Sequence, residues 1–269
     1  MSGLTFKLRD GLAGRFDLSG LVPHKLAGLD ARDIAQIVVG KTRDHVNAGD
    51  LFEITGEAGD TITFIGTTAA CDGLGSDLAS GTIIVEGNAG AYAGRSMKSG
   101  RLDIRGSAGD FLAAGLTGGL VTVKGSAGDF VGAVLTGAKN GMAGGTVVVE
   151  GNIGERAGDR MRRGTIITRG KTGASAGSRM LGGTIWAEGG LGAAPGPLLR
   201  RGTLIAPSVE RMTDTFADCG LHDLGIAAIM SNYFTETLGP LAPKPLPKLV
   251  RRYAGDLATA GKGEILIIA

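Results

Sequence analysis

One pattern recurs six times between Gly81 and Arg201: a glycine, five residues, a second glycine, two residues and a third glycine. The units open at Gly81, Gly100, Gly119, Gly145, Gly164 and Gly183, and Gly202 starts a truncated seventh. Five of the six spacings are 19 residues, and the step from Gly119 to Gly145 is 26. A unit this short cannot bury an apolar face by itself, so the repeat restricts the chain to architectures in which units stack.

Positions within a unit are numbered from its opening glycine. At +2 stand Ile83, Leu102, Val121, Val147, Ile166, Ile185 and Leu204; at +4 stand Val85, Ile104, Val123, Val149, Thr168, Ala187 and Ala206. Apolar residues at alternate positions have the period of a strand. Three residues before each new unit comes another apolar column: Leu78, Met97, Leu116, Met142, Met161, Met180 and Leu199. Strands of successive units pairing in parallel, about 4.8 Å apart, would carry these columns into one core. The expectation is an all-β fold, a right-handed parallel β-helix (β-solenoid) of ~19-residue coils, right-handedness being the rule for parallel crossovers. Glycine at +6, +9 and +13 marks corners that need positive φ or a close backbone approach. Outward at +5, Glu86, Arg105, Lys124, Glu150, Arg169 and Glu188 form a ladder in which four of five neighbours are oppositely charged.

The flanks are read as caps. Residues 1–48 form an N-terminal cap region, 49–206 the repeat domain and 207–269 a helical and extended tail. Leu4 to Arg9 alternates as an opening strand, Asp30 N-caps a helical turn through Ile34, and Gln36 to Val39 is strand-like. The segments Asp50 to Gly56 and Asp60 to Gly66 resemble degenerate first coils. Beyond Pro207, apolar spacing over Thr213 to Leu238 predicts one or two helices, and Pro240, Pro243, Pro245 and Pro247 force an extended segment. Arg251 to Thr259 reads as a last helix and Glu264 to Ala269 as an apolar strand that docks on its own body or on another chain.

Composition excludes several classes. A net charge of +2 argues against a dedicated nucleic-acid binder. No apolar run approaches ~18 residues and no charged segment precedes an apolar core at the N-terminus, so neither membrane insertion nor targeting is expected and the cytoplasm is the plain location. Cys71 and Cys219 lie far apart without a CxxC, signalling neither a disulfide framework nor zinc; Cys71 is read as a small buried hydrophobe. His24 and His45 fall in polar loop contexts without acidic partners at motif spacing, and His222 beside Asp223 is not a dyad. No catalytic, cofactor-binding or metal-binding residue is assigned.

Three surfaces are candidates for contact. The long unit carries seven extra residues at Ala133 to Lys139, and the loop Val134 to Gly141, with Val134, Leu135, Lys139 and Asn140, is either a partner-contacting face or a tolerated excursion. Arg162 with Arg163, and Arg200 with Arg201, occupy equal columns two coils apart: a basic stripe suited to anionic groups on a partner or ligand, or a solvated edge that discourages strand addition. Tyr92, Phe111 and Phe130 at +11, beside Asp110, Asp129 and Glu155 at +10, fit in-line packing, with a carbohydrate site as the alternative.

The stretches 81–90 (GTIIVEGNAG), 125–130 (GSAGDF) and above all 137–158 (GAKNGMAGGTVVVEGNIGERAG) resemble the glycine-repeat C subunit of formylmethanofuran dehydrogenases, whose repeat also forms the C-terminal domain of glutamate synthase large chains. The resemblance covers roughly 49–206 and includes the single long unit. It implies one of two settings: a molybdenum or tungsten dehydrogenase with iron–sulfur carriers in methanogenic archaea, or a formyltransferase/hydrolase complex in methylotrophic bacteria. The latter transfers formyl from tetrahydromethanopterin to a methanofuran-type carrier and releases formate. An excess of Arg over Lys, 18 against 10, tilts the reading to the bacterial setting. In that setting the resemblance implies a non-catalytic scaffold beside an amidohydrolase-type subunit, a formyltransferase subunit and a further homologous subunit, with no cofactor bound directly by this chain. A stand-alone relative of the glutamate synthase domain is the other alternative. Hexapeptide acyltransferases are disfavoured by their six-residue repeat, and polysaccharide-cleaving enzymes by an aromatic content of 4%.

Overall fold

A computed structural model describes residues 3–11, 14–40 and 46–268, so His45 and Ala269 lie outside the described residues. The N-terminal part holds β1 (Gly3–Leu8), β2 (Phe16–Asp17), the short helices α1 (Pro23–Leu26), α2 (Ala31–Ala35) and α3 (Ala48–Leu51), then β3 (Phe52–Thr55), β4 (Glu57–Ile65) and β5 (Cys71–Asp72). Each repeat then gives one strand: β6 (Thr82–Glu86), β7 (Arg101–Ile104), β8 (Leu120–Val123), β9 (Ala143–Val149), β10 (Arg163–Thr168), β11 (Thr184–Ala187) and β12 (Arg201–Ala206). The C-terminal part is β13 (Ala217–Asp223), α4 (Ala227–Leu238), β14 (Leu249–Gly255) and β15 (Lys262–Ile268).

The fold is all-β. Among the described residues, thirteen strands join one sheet in the order β13-β14-β15-β12-β11-β10-β9-β8-β7-β6-β4-β1-β3. From β4 to β12 every pairing is parallel and keeps the +2 column aligned: Ile62 faces Ile83, then Leu102, Val121, Val147, Ile166, Ile185 and Leu204 in turn. Each of these side chains is buried, as are the +4 column and the column from Leu78 to Leu199. At about 25 cal/mol per Å² of apolar surface removed from water, this repeated burial dominates the energetics of the stack. A second parallel ladder links Ala89, Ala108, Ala127, Ile153 and Thr172 at +8.

Two glycines show why the repeat is so rich in this residue. Gly164 opens its unit at φ 101°, and a Cβ there would lie 2.6 Å from the Met142 Cε. At Gly173 a Cβ would meet the backbone of the preceding unit, 2.7 Å from the Glu155 nitrogen. The seven extra residues leave the stack at Ala133, which is buried, expose 136–139, and return through the Met142 N–H, which donates to the Gly132 carbonyl at 2.8 Å.

The sheet also has a second buried face. Val148, Ile167, Trp186 and Ile205, all at +3, pack with Ala227 and Phe234 of α4, Leu246, Val250 and Leu266. In earlier units the same column holds Ile84, Asp103 and Thr122, with the Thr122 hydroxyl donating to Asp103 at 2.5 Å. The +5 ladder forms ion pairs from Lys124 to Glu150 and from Arg169 to Glu150 and Glu188. It also secures the proline-rich segment: Arg169 donates to the Leu241 and Ala242 carbonyls, and Glu188 accepts from the Lys244 N–H.

Several local expectations are corrected. Asp50 to Gly56 is not a coil, because only residues 57–59 separate it from Asp60, too few for a return loop; β3 instead runs antiparallel to β1, which inserts beside β4. Phe6, Phe52 and Phe64 close that end as an aromatic cluster, with centroids 4.9–5.8 Å apart. Gln36 to Val39 makes only an isolated bridge at Val38, and His24 lies exposed on α1, not in a loop. Within Thr213 to Leu238, residues 217–223 are a strand, and Arg251 to Thr259 begins in β14 instead of a helix. The cause is tertiary: β15 continues the parallel stack on β12, leaving an open edge whose peptide groups β14 satisfies antiparallel, and β13 then pairs with β14. The terminal strand therefore docks on its own body.

Candidate functional site

The insertion loop and the arginine-bearing return loops meet at one corner. Position +15 carries Arg160, Arg179 and Leu198 on three consecutive units, at φ 53°, 52° and 60°. A left-handed backbone costs a residue with a Cβ roughly 1–2 kcal/mol. Here stacking imposes it: the Arg160 N–H donates to the Ser178 carbonyl at 2.9 Å and the Arg179 N–H to Pro197 at 2.8 Å. The insertion is fastened beside them by the Gly141 N–H, 2.9 Å from the Arg160 carbonyl. On the far side the loop after β14 is held by the Leu198 N–H donating to Asp256 at 2.8 Å and the Thr259 hydroxyl donating to the Leu199 carbonyl at 2.9 Å.

Between these walls lies a cleft of about 310 Å³ lined by Lys139, Arg160, Arg179, Leu181, Leu198, Arg200 and Thr259. Arg179 is clamped by Asp159 through Nε–Oδ1 at 3.0 Å and Nη2–Oδ2 at 2.7 Å, with Arg156 3.7 Å from the same carboxylate. Lys139, Arg160 and Arg200 have no carboxylate partner among the described residues. Two sequence candidates, Lys139 and Arg200, thus reach the cleft, while the exposed Arg162, Arg163 and Arg201 stand outside its lining. Val134, Leu135 and Asn140 are half-buried, with Leu135 packing over Gly115. Sequence reasoning misses Arg160 and Arg179, although their identical type at a spacing of 19 is visible there.

The other candidate features take structural positions. Tyr92, Phe111 and Phe130 stack with centroids 4.9 and 4.8 Å apart, and Arg95 and Arg156 sit over the two ends. The acids beside them bond the backbone: Asp110 accepts from the Asp129 N–H and Asp129 from the Glu155 N–H. Burial pushes the Cys71 thiol above its ordinary value. His222 contacts the Cys219 carbonyl at 3.1 Å, and Asp223 pairs with Lys248. A larger cavity of about 710 Å³ near Gly3 and Gly56–Thr61 has few side chains converging on it. No group of three or more His, Cys, Asp or Glu able to hold a metal stands together among the described residues. No helix among them is long and apolar enough to cross a membrane.

Fold and cleft together define an all-β repeat protein with a basic cleft built across its repeat units. The C subunit of the formyltransferase/hydrolase complex Fhc of Methylorubrum extorquens is 41% identical over 86 residues, which span 32% of this chain and 32% of that relative. One chain in the crystal structure of the formyltransferase/hydrolase complex (FhcABCD) from Methylorubrum extorquens in complex with methylofuran matches with a TM-score of 0.92. It is 40% identical and the match covers 98% of this chain and 99% of that one. No family model matches. The chain belongs to the family of C subunits of formyltransferase/hydrolase complexes.

Proposed function

We propose that this chain is the non-catalytic scaffold subunit of a cytoplasmic formyltransferase/hydrolase complex. The observation that carries the reading is the near-complete match, at 40% identity, to a chain solved inside such a complex. The assembly would transfer formyl from tetrahydromethanopterin to a methanofuran-type carrier and release formate, with the chemistry on an amidohydrolase-type and a formyltransferase subunit and a further homologous subunit beside them. This chain would bind no cofactor directly.

The in-register parallel ladders support a right-handed parallel β-helix in 49–206, capped by 1–48 and closed by 207–269. Such a body is stiff along its axis, because every coil is tied to its neighbours by backbone hydrogen bonds, and stiffness is what holding two catalytic subunits in fixed relation requires. The loop from Val134 to Gly141 and the arginines at 162, 163 and 201 would face partner subunits. The apolar Ile226, at the N-cap of α4, and Ile229 and Tyr233 within it, 55%, 68% and 60% exposed, suit coverage in an assembly.

The test is a mild pull-down of the tagged chain from its native cells, with companions identified by mass spectrometry. Amidohydrolase-type and formyltransferase companions are expected, together with no formyl transfer or formate release by the isolated chain. Recovery of the chain alone, iron–sulfur companions, or turnover by the isolated chain would overturn the assignment.

A further inference from the structure

We propose that α4 pairs with the α4 of a second copy of this chain, the two helices running antiparallel about a twofold axis. The helix holds an apolar stripe away from its own body: Ile226, Ile229 and Tyr233 are 55%, 68% and 60% exposed. Ile226 closes the N-terminus in helical geometry, so the three fall at i, i+3 and i+7 and share one face. Of the 12 residues of α4 only Glu236 is charged. A solvated helix face is normally polar and charged, whereas the core of an interface is depleted of charge and enriched in aromatic residues.

The charges select a second copy as the occupant. α4 has no acidic residue in its first turn and no side-chain cap at its N-terminus, while Glu236 stands in its last turn. A helix N-terminus attracts an anion and a C-terminus repels one, so each α4 has an unmet positive end and an ill-placed carboxylate. Antiparallel pairing, with Ile229 opposite Tyr233 of the second copy, sets Glu236 beside that copy's Ile226 and makes the exchange twice. Asp223, ahead of this end, is already engaged by Lys248 at 2.8 Å. A parallel pairing would set the two Glu236 carboxylates side by side.

The body presents the helix ready to dock. Phe234 meets Trp186 at 5.8 Å, and the Ser231 hydroxyl accepts from the Leu246 N–H at 2.9 Å while donating to the Ala227 carbonyl at 2.8 Å. α4 is therefore fixed before association, and little ordering is left to oppose it. Beside its C-terminal half lies a notch of about 220 Å³ whose lining includes Leu120, Thr146, Tyr233, Thr237 and Leu238. In the antiparallel register the second copy's Ile226 reaches this notch.

Sedimentation velocity of the full chain over a range of concentrations reads the association. A monomer–dimer equilibrium is expected, weakened at least about tenfold by I229K/Y233K, which puts charge into the centre of the contact. E236Q should weaken it about two- to fivefold, the scale of a helix-end charge. R32A, on exposed α2, should associate as the parent does. Both lysine substitutions replace exposed side chains, and circular dichroism with thermal midpoints keeps folding separate from association. In a C219S background, a mixture of I229C and Y233C chains should form a disulfide-linked dimer faster than either chain alone, which reads the antiparallel register. A monomer at every concentration, parent-like association of I229K/Y233K, or linkage of I229C to itself as fast as to Y233C would overturn the proposal. The contact involves this chain alone and is separable from the scaffold assignment. Loss of self-association in I229K/Y233K with its companions recovered normally from native cells supports the pairing. A monomeric parent whose I229K/Y233K variant loses a companion would assign the stripe to that companion and reject the second copy.

Discussion

Arg179 and Asp159 lie 20 residues apart and meet as a bidentate pair, the carboxylate buried and the Arg179 side chain 34% exposed. Removing either partner is therefore not symmetrical. R179M leaves Asp159 buried with only Arg156 at 3.7 Å, and is expected to cost about 2–4 kcal/mol. D159N leaves a guanidinium that water can reach, and should cost about 1–2 kcal/mol after allowance for its exposure. Urea unfolding of both variants measures the difference, and equal losses would contradict the geometry.

Trp186 is the chain's single tryptophan, 1% exposed, and meets the Phe234 ring edge-on at 5.8 Å. F234A opens the layer between α4 and the sheet, at about 3–4 kcal/mol for a buried Phe. Its signature is a red-shifted Trp186 emission with greater iodide quenching, while the repeats stay folded by far-UV circular dichroism.

The two cysteines separate by environment. Cys71 is 1% exposed and its thiol is raised by burial, whereas Cys219 is exposed on β13. The thiolate is the reactive form. Iodoacetamide on the folded chain should label Cys219 alone, and Cys71 only after denaturation, as read by peptide mass spectrometry.

Asp218 is held below the ordinary 3.8 by the hydrogen bond from Arg251 and then by the Gly220 N–H. Its folded form stays ionised to lower pH than the unfolded chain, so its contribution is fully present above about 3.8 and is lost as pH falls through the lower folded value. Amide protection in β13 and β14 should decline in that acid window. D218N should lower protection at neutral pH and flatten the dependence.

The repeated part of the fold is legible in the sequence because it obeys one rule many times. Ile83 to Leu204 at +2 predicts the aligned ladder, and Leu78 to Leu199 predicts a further inward column of the core. Where a segment occurs once, local pattern misleads: β13 and β14 carry helix-like spacing, and nothing near Leu221 or Arg251 announces that β15 leaves an edge to fill. At +3, the change from Asp103 and Thr122 to Val148, Ile167 and Trp186 does signal a covering layer, although the identity of the cover, α4, is not written in that column.

The sequence by itself determined the unit, its inward columns, the point where seven residues leave the stack and the basic columns around Arg162 and Arg200. These follow from periodicity, because every coil repeats the same burial problem. Only the tertiary structure decided that Lys139 lines one cleft with Arg160 and Arg179, that Asp159 is held by Arg179, and that residues after β14 close its far side. Those relationships join segments up to about a hundred residues apart, and they are set by packing between coils that no local preference encodes.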